Sequence, residues 1–85
     1  MERYANLNGN SNISAYLLGV GYIAVQFSSG RETFYLYTDY RAGQMAIMEM
    51  HRLARQGFGL NSYISTSVRK LYSARGISLQ SLGLS

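Results

Sequence analysis

The run Ile13-Ser14-Ala15-Tyr16-Leu17-Leu18-Gly19-Val20-Gly21-Tyr22-Ile23-Ala24-Val25-Gln26-Phe27, continued by Thr33-Phe34-Tyr35-Leu36-Tyr37-Thr38, decides how the rest of the chain folds. Residues alternate with period two in Ile13–Leu18, Tyr22–Phe27 and Thr33–Thr38, the period of strands that bury one face. Between them lie Gly19-Val20-Gly21 and Ser28-Ser29-Gly30-Arg31, whose glycines supply the positive φ that hairpin turns use. Pairing Leu18 with Tyr22 sets Leu17 opposite Ile23, Ala15 opposite Val25 and Ile13 opposite Phe27. Pairing Phe27 with Glu32 sets Val25 opposite Phe34, Ile23 opposite Leu36, Ala24 opposite Tyr35 and Tyr22 opposite Tyr37. Both registers place Ile13, Ala15, Leu17, Ile23, Val25, Phe27, Phe34 and Leu36 on one inner face.

From Ala42 the spacing changes. Ala46, Ile47, Met50, Leu53 and Ala54 recur at three- and four-residue steps and form the stripe of an amphipathic helix. Gly57, in Gly57-Phe58-Gly59, is placed as its left-handed cap. Asn61 or Ser62 is the expected N-cap of a second helix. Ile64, Val68, Leu71 and Tyr72 are its stripe, and Gly76 is its stop. The predicted architecture is α+β: a three-stranded antiparallel β-meander followed by two helices packed on one sheet face, βββαα. Residues 1–12, rich in Asn, Ser and Gly, read as a flexible lead-in; 13–76 form a single domain and 77–85 a short C-terminal tail.

At 85 residues the chain has room for one core. It has no cysteine, which removes disulfides, thiolate metal sites and thiol catalysis. No stretch approaches the ~18 apolar residues of a membrane span. Met1–Asn6 has no basic run leading into an apolar segment, so no secretory signal is expected and the expected location is cytoplasmic. The net charge of +4 is unevenly distributed. Residues 1–49 hold Arg3, Arg31 and Arg41 against Glu2, Glu32, Asp39 and Glu49. Residues 50–85 hold Arg52, Arg55, Arg69, Lys70 and Arg75 and no acid. An uncompensated basic half is the footprint of a protein that meets polyanions.

The order of residues resembles the KTSC domain, a short bacterial and phage module named for its occurrence at the C-terminus of some lysyl-tRNA synthetases. The resemblance runs through Ser11-Asn12-Ile13, Val25-Gln26-Phe27-Ser28-Ser29-Gly30 and Phe34-Tyr35-Leu36-Tyr37. It continues through Gly57-Phe58-Gly59-Leu60-Asn61, Ile64 and Val68-Arg69-Lys70-Leu71-Tyr72. The family's Gly-Tyr-Asp after the first strand and its proline before the first helix have no counterpart here. The resemblance implies a βββα-type fold and a role in nucleic-acid binding, and it carries over no catalytic residue.

Catalytic chemistry has little material to work with. Apart from His51 there are four carboxylates, and Glu49 and His51, two apart on a helix, point in different directions. No catalytic residue, metal ligand set, cofactor or small-molecule substrate is expected. Gly19-Val20-Gly21 leads into a strand and lacks the third glycine of a dinucleotide motif. The basic residues point elsewhere. Arg52 and Arg55 project from the outer side of the first helix, and Arg69 and Lys70 from that of the second. Asn61 opens the second helix after a glycine-rich loop and suits a phosphate. The chain also has eight tyrosines and no tryptophan. The register above puts Tyr16, Tyr22, Tyr35 and Tyr37 on the sheet face away from the helices, free to stack bases or to meet a protein. The expected function is a small non-catalytic binding module for RNA or DNA. The alternative is a protein interaction module, such as a phage- or plasmid-type inhibitor, an accessory subunit or a homodimer. It would use the tyrosine face or the tail.

Overall fold

In the computed structural model, which describes residues 1–84, one antiparallel sheet of five strands runs in the order β1-β2-β3-β4-β5. The strands are β1 (Glu2–Arg3), β2 (Ile13–Gly19), β3 (Tyr22–Phe27), β4 (Phe34–Thr38) and β5 (Ala74–Gly76). Between β4 and β5 come α1 (Asp39–Ala42), α2 (Gln44–Gln56) and α3 (Leu60–Tyr63), the last running on into a π-helical turn, Ile64–Val68. A 3-10 turn, Gln80–Leu82, follows β5. The α+β class and the three central strands agree with the sequence; the sheet gains a strand at each edge. Among the described residues no helix is long and apolar enough to cross a membrane.

The register differs from the expected one by a single residue. Gly19 pairs with Tyr22, Leu18 with Ile23 and Tyr16 with Val25, so the turn is the two residues Val20-Gly21. Two-residue turns are the commonest hairpin connection, and here Gly21 supplies the positive φ, 76°. A Cβ at position 19 would displace the Tyr22 ring, which packs over the bare glycine. On the other edge of β3, Val25 pairs with Tyr35 and Ile23 with Tyr37. The Phe27 N–H closes that loop on the Thr33 carbonyl at 2.8 Å.

A slip of one residue exchanges the faces of a strand. Tyr16, Tyr35 and Tyr37 therefore turn toward the helices, while Ala15, Leu17, Phe34 and Leu36 turn away. A bulge between Ile13 and Ala15 returns Ile13 to its expected place opposite Phe27. The core is Tyr4, Ile13, Tyr16, Ile23, Val25 and Tyr37 of the sheet side against Ile47, Met50, Leu53, Ala54, Leu60, Ile64 and Val68. The α2 stripe is the predicted one, and Gly57 caps it in the left-handed region at φ 86°.

The second helix departs from expectation at both ends. Gly59, not Asn61 or Ser62, precedes its first turn, and the helix stops at Val68. Ser65 Oγ donates to the Asn61 carbonyl at 3.0 Å and Thr66 Oγ1 to the Ser62 carbonyl at 2.9 Å. Such back-bonding competes with the helical ladder, and Ser, Thr and Val are weak helix formers. Ala74–Gly76 then pairs with β4 in place of the last helical turn.

Residues 1–12 are not a free lead-in, because β1 pairs with β2 and Tyr4 is buried edge-on against Tyr16 at 6.5 Å. The Tyr4 hydroxyl accepts the Leu60 N–H at 3.3 Å, one of the orphan donors at the start of α3. Leu7 N–H donates to the Gly57 carbonyl at 2.8 Å. The tail docks too, with Leu82 buried and the 3-10 turn against β4 and β5. Tyr4→Phe keeps the ring and removes the acceptor for Leu60. It should cost about 1–3 kcal/mol, read as a lower denaturant midpoint at unchanged m. An unmoved midpoint would show that α3 does not depend on that bond.

Candidate functional site

The open row of tyrosines does not exist. Tyr16 is 7% and Tyr37 1% exposed, both in the core. Tyr35 is half-buried, edge-on to Phe27 at 5.3 Å and to Tyr72 at 5.1 Å. Tyr22 alone stays on the far face, its ring over Gly19.

Arg52 and Arg55 stand apart from the other candidate nucleic-acid residues. Arg52 is held by Glu49 one turn earlier, Nε to Oε1 at 2.9 Å and Nη2 to Oε2 at 2.6 Å, and it also donates to Gln56 at 3.2 Å. That guanidinium holds the Glu49 carboxyl below the usual carboxylate range. Arg52 is thus electrically compensated within its own helix. Arg55 stands at a cleft of about 490 Å³ between α2 and the β2–β3 turn, with Leu18, Val20, Asp39, Met48 and His51. Arg75, which lies on β5, pairs with Glu32 at 3.4 Å and covers the Tyr72 ring at 5.6 Å. Lys70 is exposed just past the π-helical turn.

Asn61 and Arg69, by contrast, come together with two of the tyrosines. Phe27, Tyr35, Tyr37, Asn61, Ile64, Ser65 and Arg69 line one depression of about 440 Å³. β3 and β4 furnish its aromatic side. Asn61, Ser65 and Arg69, spaced by four, furnish its polar side. The wide turn at Ile64–Val68 keeps Ile64 and Val68 in the core while Ser65 and Arg69 stay exposed. Burial pushes the Tyr37 phenol well above its ordinary range, with Tyr35 and Tyr72 adding to the effect. Sequence reasoning gave Phe27 to the core and passed over Ser65. The four-residue spacing from Asn61 is the signal that would have found Ser65.

His51 serves the scaffold: its Nε2–H donates to the Tyr22 carbonyl at 2.7 Å and ties α2 to the first hairpin. Among the described residues no group of three His, Cys, Asp or Glu side chains is placed to hold a metal ion. No family model matches the chain, and neither a curated protein nor a solved structure matches it.

The burial of Tyr37 has a consequence in alkali. An unfolded tyrosine ionises near pH 10, whereas the folded chain keeps the Tyr37 proton there. The stabilisation is therefore complete below about pH 10 and is lost as pH rises beyond it. Tyr37→Phe should make stability fall less steeply above about pH 10, measured by denaturant midpoints at neutral and alkaline pH. A slope as steep as that of the parent would contradict the burial of this phenol.

Proposed function

We propose that the chain is a small, non-catalytic cytoplasmic module that binds nucleic acid, RNA or DNA, through a surface centred on Arg69, Lys70 and Asn61. The observation that supports this most is the depression in which Arg69 and Asn61 meet aromatic rings with no acidic side chain in its lining. The resemblance to the KTSC domain favours the same reading. Arg52 drops out of the binding surface because Glu49 neutralises it, and Arg55, which lines other depressions than Arg69 does, is a peripheral contributor. Neutralising about two phosphates gives a slope of log affinity against log salt of about −1.4 to −1.8. Charge reversal at Arg69 and Lys70 together should flatten that slope and weaken binding of a labelled oligonucleotide about tenfold or more, while Arg52→Ala changes little. A flat salt response of the parent, or unaltered affinity after the double reversal, would refute the reading.

A second reading has its own observation. Val20, Tyr40, Met45 and Met48 are large apolar side chains left exposed, and Val20 and Met48 wall the cleft beside Arg55. Exposed apolar patches of this kind mark protein contacts, and methionine adapts to varied partners. An inhibitor, accessory-subunit or homodimer role would use this exposed apolar surface in place of the sheet tyrosines. Met45→Ser with Met48→Ser should then abolish self-association seen by sedimentation. A monomer in the parent would remove the homodimer form of the reading.

A further inference from the structure

The depression is shallow and open, but its lining is not that of a purely electrostatic contact. Its volume of about 440 Å³ lies within the usual span for small-ligand pockets, and its lining combines aromatic rings with a few polar groups. Tyr37 is 1% exposed overall and yet lines it.

Each polar group there suits a different part of one ligand. The Asn61 amide offers a donor and an acceptor side by side, the pattern of a nucleobase edge. Arg69 offers a planar fork for a phosphate. Phe27 and Tyr35, set at 84° to each other, supply the aromatic surface against which a base packs.

We infer that the depression admits one unpaired nucleotide, its base against Phe27 and Tyr35, its edge on Asn61 and its phosphate on Arg69, so that the module selects single strands over duplexes. This rests on the nucleic-acid reading above and adds a substrate class to it. A base inside a duplex has both faces covered by stacking and enters such a site only if extruded.

Anisotropy titrations at one salt concentration test it with a labelled single strand, a duplex of the same sequence, and unlabelled nucleoside monophosphates as competitors. The single strand should bind about 5- to 150-fold tighter than the duplex, the range expected for one stacked base. Tyr35→Leu and Asn61→Leu should each bring single-strand affinity down toward the duplex value. Should either variant unfold, the Phe27 and Tyr35 ring resonances of the parent, followed by NMR during the single-strand titration, give the same answer by shifting. Equal affinity for strand and duplex with unmoved rings would overturn strand selection and leave the electrostatic reading standing. Failure of both to bind would overturn both. Competition by a monophosphate at the concentration of the strand itself would reassign the depression to a free nucleotide and overturn strand selection.

Discussion

The pairing of Gly19 with Tyr22 is the constraint on which the molecule depends. It makes the first turn two residues long and lays the Tyr22 ring over the bare Gly19 backbone. Once that register is set, Tyr16 meets Val25, and Leu18 meets Ile23. The Phe27–Thr33 bond sets β4 in step on the other edge of β3, so Tyr35 and Tyr37 join the same face. A sheet whose buried face carries tyrosines must find a way out for their hydroxyls, since a phenol sealed without a partner is costly. Tyr4 finds the Leu60 N–H, and Tyr37 lines the depression.

The far side of the site is set by how α2 ends. Gly57 and Gly59 both take positive φ, which turns the chain sharply enough to start α3 beside the core. Leu7 and Tyr4 fasten that turn from the N-terminal segment. A Cβ at Gly57 would stand 2.8 Å from the Ala5 Cβ, so the approach of the two segments also depends on glycine. The π-helical turn then keeps Asn61, Ser65 and Arg69 along the rim. Its wide geometry, common at functional sites, is what joins the polar rim to the aromatic side.

Periodicity made the three central strands and the α2 stripe legible, and Gly57 was readable as a cap. Register was not. β2 and β4 are apolar on both faces: Ala15, Leu17, Phe34 and Leu36 are as hydrophobic as Tyr16, Leu18, Tyr35 and Tyr37. Alternation therefore could not choose between them, and only the lengths of the two turns could. β1 and β5 were beyond reach because two or three residues carry no period. The charge map failed for a related reason. Counting acids beyond Glu49 hid the fact that Glu49 itself lies one helical turn from Arg52, and that Glu32 reaches Arg75 across strands. Asn61 and Arg69 were legible as candidates, and so was Tyr35, although its face was read wrongly.

Cross-strand backbone NOEs between β3 and β4 test the register, and with it the depression, most directly. The structure predicts contacts joining Ile23 to Tyr37 and Val25 to Tyr35. Contacts joining Ile23 to Leu36 and Val25 to Phe34 instead would return the tyrosines to the open face and dissolve the site described here.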